Sequence, residues 1–158
     1  AFIYTKGKVG FSDGRLDIRA KLYGATGAWP AFWLLPENEG WPNGGEIDIM
    51  ERLNNDTIAY QTVHSAYTYT LGIKDNPKQG GIGFINRDDY NVYSVEMYQD
   101  SLVFFINETR TFAYPRIETD KEGQFPFTDK KFYLLLDMQS DLPVEMEIDW
   151  VRFYQKKK

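Results

Sequence analysis

The chain has 158 residues, a formal net charge of −5, a pI near 4.9, a single histidine and no cysteine. This length suits one domain with a hydrophobic core. The acidic charge argues against nucleic acid as a partner, and the lack of cysteine excludes disulfides and thiolate chemistry. One histidine cannot build a zinc site with the usual ligands, and no stretch approaches the roughly 20 apolar residues that span a membrane.

Short segments with period-two alternation, divided by turns, run along the chain. Aromatic residues make up 16% of it, which favours β-strands and ligands with flat or sugar-like faces. A short strand with a turn at residues 12–14 is predicted over 9–14. Further strands are predicted over 15–22, 28–35, 46–51, 58–64, 90–98, 102–107, 111–114, 132–138 and 144–154. The stretches 67–89 and 115–130 are predicted to be loops. No segment has sustained helical periodicity, so the sequence predicts an all-β sandwich or jelly roll.

The segment Gly44–Arg52 carries three carboxylates within six residues. In a strand, Glu46 and Asp48 point to one face and the isoleucines that follow them point to the other. Glu51 is one residue out of step, and it joins the acidic face only if a β-bulge near Met50 absorbs an extra residue. With that bulge, the two glutamates could approach the roughly 5–5.5 Å separation of a retaining glycosidase, with one as nucleophile and one as acid/base. Crowding of the carboxylates should raise one pKa and keep the acid/base protonated.

An alternating acidic strand is most often only a solvated face of a sheet, and Val144–Trp150 is such a segment. The segment Gly44–Arg52 differs from it in three ways. Its third acid is out of register, two glycines precede it, and a Trp-rich strand and loop lead into it. These differences favour catalysis there.

The run from Glu46 to Glu51, Glu-Ile-Asp-Ile-Met-Glu, resembles the bulged signature of glycoside hydrolase family 16. The preceding Trp29–Pro36 resembles the corresponding strand of bacterial laminarinase-like members. Three further segments fit the same pattern, so the resemblance covers nearly the whole chain: Gly14–Lys21, Glu39–Pro42 and Ile148–Tyr154.

The resemblance implies a concanavalin-like β-jelly-roll sandwich with a substrate cleft across its concave sheet. It implies that Glu46 is the nucleophile, Asp48 its electrostatic helper and Glu51 the general acid/base. The implied reaction is endo-hydrolysis of a β-1,3 or mixed β-1,3/1,4-glucan with retention, and no cofactor is expected for catalysis.

Other residues acquire candidate roles. Trp29, Trp33 and Trp41 are candidate platforms for sugar rings, because the C–H faces of a pyranose pack well on aromatic rings. His64 is expected in the cleft, hydrogen-bonded to a carboxylate or a sugar hydroxyl. Asp149 matches the position of an aspartate that binds a structural calcium ion in members of the family, although such sites draw on several oxygens.

The resemblance also implies a bacterial protein that is secreted, periplasmic or on the cell surface, acting as a monomer on a glucan polysaccharide or oligosaccharide. We expect one catalytic domain over residues 1–158 that lacks the N-terminal strands of the family and a loop near 139–140. Two alternatives stay open. One is a galactan hydrolase of the agarase or porphyranase type on the same scaffold, although the Trp-Pro-rich pattern fits glucans better. The other is a lectin-like module that binds sugar without turnover, which would have no need for the costly acid cluster.

Overall fold

A computed structural model describes residues 1–157, and its regular secondary structure is almost entirely β-strand. One helical turn, Ala66–Thr70, lies between the fifth and sixth strands and is capped by Ser65. The strands are β1 (Phe2–Tyr4), β2 (Gly14–Leu22), β3 (Trp29–Pro36), β4 (Glu46–Glu51), β5 (Ile58–His64), β6 (Gly80–Phe84), β7 (Tyr90–Met97), β8 (Ser101–Ile106), β9 (Thr109–Pro115), β10 (Phe132–Gln139) and β11 (Met146–Gln155).

The strands form two antiparallel sheets that pack face to face. The six-stranded sheet has the order β1-β10-β3-β4-β5-β6, and the five-stranded sheet has the order β11-β2-β7-β8-β9. The acidic strand β4 therefore lies inside the larger sheet, between the Trp-rich β3 and the hairpin partner β5. This arrangement confirms the predicted all-β jelly-roll sandwich.

The hydrophobic core lies between the two sheets, as strand alternation requires. On β3, Phe32 and Leu34 point into it, and on β2, Leu16 and Ile18 do so from the opposite sheet. Burying side chains of this size contributes about 1.5–3 kcal/mol each relative to leaving them exposed. Because one face of the six-stranded sheet is used in this way, its other face is left for polar and aromatic side chains.

Two of the predicted segments differ in the structure. The stretch 9–14 is not a strand: Phe11 makes an isolated bridge to Phe132, and the chain before it is a turn in which the amides of Lys8 and Val9 donate to the carbonyl of Thr5. The predicted loop 67–89 contains the helical turn and strand β6. The predicted loop 115–130 is confirmed apart from its first residue, which ends β9.

Strand β6 was not predicted from the sequence, because its glycines weaken the pattern that is typical of a strand. They have a packing role here. A β-carbon at Gly80 would lie 2.6 Å from the carbonyl oxygen of Gln61 on β5, and one at Gly83 would lie 2.6 Å from Thr111 on β9. The strand can approach its neighbours only because these side chains are absent. Within residues 1–157, no helix is long and apolar enough to cross a membrane.

Candidate active site

Strand β4 carries a β-bulge at the position that the sequence predicted. The pairings that define it are Asp48–Trp33, Met50–Phe32 and Glu51–Ala31 toward β3, and Asp48–Thr62 and Glu51–Tyr60 toward β5. Three residue steps on β4 therefore face two on each neighbour. The extra residue turns both Ile49 and Met50 into the core, where each is fully buried. Glu51 returns to the face that carries Glu46 and Asp48, as predicted.

Both ends of β4 are anchored. Before it, Gly45 has a φ of +88°, and a β-carbon there would lie 2.7 Å from the ring of Phe127, so only glycine fits this turn. After it, Arg52 is 1% exposed. Its guanidinium donates to the carbonyls of Asp56 at 2.8 Å and Leu22 at 3.1 Å. These contacts fix where the acidic strand starts and stops.

The two inner carboxyl groups form a compact cluster with His64. The imidazole Nε2 lies 3.0 Å from Asp48 Oδ2 and 3.5 Å from Glu46 Oε2. Asp48 is almost completely buried, and Glu46 is largely so. Burial is the main cause that raises the pKa of both carboxyls. Hydrogen bonding between the pair raises the pKa of Glu46 and lowers that of Asp48, and the neighbouring Glu51 carboxyl raises the pKa of both.

This result changes the expected distribution of protons. The sequence predicted that crowding would raise the pKa of the acid/base, whereas the structure raises the pKa of the inner pair. The physical reason is burial, which differs along the strand in a way that residue spacing does not show. Because both pKa values are raised, the inner pair retains a proton to higher pH than free carboxyls do.

Glu51 lies at the other end of the acidic face and is held by Trp29. The indole Nε1 donates a hydrogen bond of 2.9 Å to Glu51 Oε2. An indole N–H is only a donor, so it orients the carboxyl without competing for its proton. Trp29 was predicted as a sugar platform, and the structure adds this positioning contact to its exposed ring.

A cavity of about 360 Å³ on this face brings all seven predicted cleft residues together. Two side chains that the sequence analysis missed, Asp137 and Gln139, also line it from β10. The full lining is Trp29, Ala31, Trp33, Trp41, Glu46, Asp48, Glu51, His64, Asp137 and Gln139. The available signal was the alternation of β10, whose residues 133, 135, 137 and 139 share a face. Its run of three leucines made the strand resemble core on both sides.

The aromatic rings of the cleft lie on both sides of the acids. Trp41, 48% exposed, contacts Tyr69 of the helical turn with ring centroids 4.7 Å apart, and its centroid is 6.4 Å from that of His64. Tyr67 of the same helical turn is buried instead, and its hydroxyl donates to the carbonyl of Asn76. Exposed, clustered rings next to carboxyl groups are typical of a sugar-binding cleft.

Comparison with known families agrees with this geometry. A family model described as the XgeA-like catalytic domain of glycoside hydrolase family 16 matches residues 11–101, which contain the whole acidic strand and its two neighbours. The chain belongs to glycoside hydrolase family 16.

Relatives within family 16 differ in what their names state. The keratan-sulfate endo-1,4-β-galactosidase of Sphingobacterium multivorum is 32% identical over 97% of this chain, which spans 39% of that protein. The β-glucanase of Rhodothermus marinus is 31% identical over 98% of this chain, which spans 62% of that protein. The solved structure of the laminarinase from Rhodothermus marinus matches with a TM-score of 0.85 at 30% identity, covering 98% of this chain and 70% of that one.

Asp149 lies away from the family 16 cleft, on strand β11 of the other sheet. Its carboxylate accepts from the guanidinium of Arg19 at 2.5 Å. Within the described residues, one set of three acidic or histidine side chains is close enough to hold a metal ion, and that set is Glu46, Asp48 and His64, with ligand atoms within 4.8 Å of one another. In this set His64 hydrogen-bonds to Asp48 and lies 3.5 Å from Glu46, so the three side chains interact with each other without an ion. Calcium at Asp149 stays a prediction, and it would have to displace Arg19.

Proposed function

We propose that this chain forms the catalytic part of a retaining endo-β-glucanase that hydrolyses β-1,3 or mixed β-1,3/1,4 linkages. The observation that carries the proposal is the bulge that aligns Glu46, Asp48 and Glu51 on one face inside a cleft lined by tryptophans. A β-glucanase and a laminarinase among the relatives support a glucan substrate.

In the first step of the proposed reaction, Glu51 donates a proton to the glycosidic oxygen while a carboxylate oxygen of Glu46 attacks the anomeric carbon. The C–O bond to the leaving sugar breaks, and a glycosyl ester on Glu46 forms. Trp29 holds the Glu51 carboxyl in place during this transfer. Because the hydrogen bond within the inner pair raises the pKa of Glu46 and lowers that of Asp48, the shared proton has to move from Glu46 to Asp48 before Glu46 can act as the anion.

In the second step, Glu51, now a carboxylate, takes a proton from water, and the water oxygen attacks the anomeric carbon of the ester. The bond to Glu46 breaks and the sugar leaves with its original anomeric configuration. Glu51 is then protonated again for the next cycle. No other group has to change its proton count.

The open cleft and its rings suit attack within a polymer. We infer that Trp29, Trp33 and Trp41 support successive sugar rings on either side of the acids. We also propose that the protein acts outside the cytoplasm, by secretion, in the periplasm or on the cell surface.

A second candidate substrate follows from one relative. The name of the Sphingobacterium multivorum protein states an endo-1,4-β-galactosidase acting on keratan sulfate. The same two-glutamate chemistry would then act on a galactose-containing glycan, as in the agarase or porphyranase alternative. The cavity lining contains three tryptophans and no lysine or arginine. This composition favours a neutral glucan over a sulfated glycan.

Reducing-sugar release from laminarin, lichenan, xyloglucan, agarose and keratan sulfate tests the proposal. We expect release from laminarin or lichenan, and loss of at least about a thousandfold in Glu46→Gln, because the nucleophile is removed. Glu145→Gln changes an exposed acid outside the cleft lining; it is the matched control and should retain full rate. Release from keratan sulfate alone would select the second candidate, and release from none would leave a sugar-binding module.

Proton NMR of the first product tests retention separately. A β-linked substrate should first give the β-anomer, which then mutarotates. An initial α-anomer would refute the double displacement.

A further inference from the structure

We propose that Gln79 is a positioning residue for the proposed reaction: its side-chain amide holds His64 as the neutral tautomer with the proton on Nε2, which makes the imidazole a donor toward Asp48. This inference rests on the proposed function for its catalytic consequence. Its structural part concerns only the hydrogen bonds between these three side chains.

Gln79 is held rigidly next to His64 at three points. Its backbone N–H donates to the carbonyl of Lys74 at 2.9 Å, and its carbonyl accepts from the N–H of Val63 at 3.0 Å. Its side-chain Nε2 donates to the carbonyl of Val63 at 2.9 Å. A carbonyl oxygen only accepts, so the NH₂ group, not the amide oxygen, must face Val63. The orientation of the amide is therefore determined.

The second hydrogen of the same NH₂ group is directed at the imidazole. Gln79 Nε2 lies 3.3 Å from His64 Nδ1. An amide nitrogen donates and does not accept, so Nδ1 has to provide the lone pair. A neutral imidazole has one proton, and it must then reside on Nε2. Both the opposite tautomer and the imidazolium would place two N–H groups against each other.

The tautomer of His64 determines whether the carboxyls of Asp48 and Glu46 face an N–H group or a lone pair. His64 Nε2 lies 3.0 Å from Asp48 Oδ2 and 3.5 Å from Glu46 Oε2. An N–H at this position occupies Asp48 Oδ2, so the proton shared by the two carboxyls is left between Asp48 and Glu46. With a lone pair there instead, the carboxyl proton would be drawn toward the imidazole and away from the nucleophile. Gln79 thus controls where that proton is held, although it touches neither carboxyl.

The chain has one histidine, so its imidazole nitrogens can be observed without overlap. We propose long-range ¹H–¹⁵N correlation spectra of the ¹⁵N-histidine-labelled chain at neutral pH. The wild type should show Nε2 protonated and Nδ1 bare. In Gln79→Glu, a carboxylate acceptor faces Nδ1, and Nδ1 should become protonated; in Gln79→Leu the preference for one tautomer should be lost. Lys78→Ala, the neighbouring exposed residue, should match the wild type.

Activity on the best glucan of the panel tests the catalytic consequence. We expect kcat to fall on the order of tenfold in Gln79→Leu and further in Gln79→Glu, with KM nearly unchanged; hydrogen-bond partners of metal-ligating histidines have effects of this order. Unchanged melting temperatures would show that the variants fold.

Each result has a definite meaning. A bare Nε2 in the wild type, or an unchanged imidazole spectrum in Gln79→Glu, would overturn the tautomer assignment. A changed spectrum with full hydrolysis would overturn the positioning role. If the wild type hydrolyses no glycan, the proposed function fails while the spectra still decide the tautomer.

Discussion

Replacing Asp48 with asparagine should make the protein more stable at neutral pH and less active. Asp48 is 3% exposed and lies beside Glu46, and burial raises the pKa of both carboxyls above their ordinary values. Between the unfolded and folded pKa values, the folded chain binds more protons than the unfolded chain. The stability that this extra proton contributes is therefore fully present below about pH 4, where unfolded carboxyls titrate. It is lost as the pH rises toward the raised pKa values of the folded carboxyls.

The magnitude follows from proton counting. One extra bound proton in the folded state corresponds to about 1.4 kcal/mol of stability lost per pH unit. Between about pH 5 and pH 7, the wild type should lose about 3 kcal/mol from one such proton. The Asp48→Asn variant cannot bind this proton, and it lacks the neighbour that helps to raise the pKa of Glu46. Its free energy of unfolding should therefore fall with pH less steeply than that of the wild type, with a slope smaller by about 1.4 kcal/mol per pH unit.

Urea unfolding at several pH values measures this slope, provided the dependence on urea is unchanged between variants. Asp120→Asn is the matched control, because Asp120 has a side chain that is 90% exposed, and its curve should parallel the wild type. Glucan hydrolysis by Asp48→Asn should fall on the order of 10–100-fold, because asparagine cannot exchange a proton with Glu46. Parallel stability curves for wild type and Asp48→Asn would refute the proposed proton sharing.

Three other substitutions test separate parts of the structure. Trp29→Phe keeps a ring but removes the donor to Glu51, and kcat on a glucan should fall about tenfold, the equivalent of a hydrogen bond of about 1.4 kcal/mol. Arg52→Met leaves its buried carbonyl partners without a donor and should lower the free energy of unfolding in urea by about 3 kcal/mol. Gly80→Ala places a methyl group against the carbonyl oxygen of Gln61 and should cost about 1–3 kcal/mol by the same measurement.

Each of these has a control elsewhere in the chain. Trp150→Phe changes an indole outside the cleft lining and should leave kcat unchanged. Arg110→Met and Gly40→Ala alter an exposed arginine and a glycine with open space around it, and their stabilities should stay within about 0.5 kcal/mol of the wild type. Controls that lose as much as the test variants would contradict the contacts assigned here.

Much of the site could be predicted because it lies on one strand and its neighbours in sequence. The alternation of residues 46–51 defines which acids share a face, and the misplaced Glu51 requires a bulge for that face to hold three acids. The hairpin partner β5 follows directly, and the family resemblance placed His64 of that strand in the cleft. Local patterning was sufficient for these features because adjacent residues and tight turns determine them.

The features of the site that were not predicted depend on pairing between strands that are far apart in sequence. Strand β10 joins β3 from about 100 residues away, with Asp137 opposite Ala31 and Gln139 opposite Trp29. No pattern within either segment indicates that pairing. The glycines of β6 gave a loop signal, because their role is to admit a neighbouring backbone that the sequence analysis could not locate.

The sequence by itself determined the β-sandwich, the acidic strand with its bulge and the aromatic character of the cleft, since these depend on side-chain alternation and residue type. Only the tertiary structure decided that the raised pKa values fall on Glu46 and Asp48, that Trp29 donates to Glu51, and that Gln79 lies against His64. Burial and hydrogen-bond geometry arise where separate strands and loops meet. They are properties of the assembled sheet and not of any one segment.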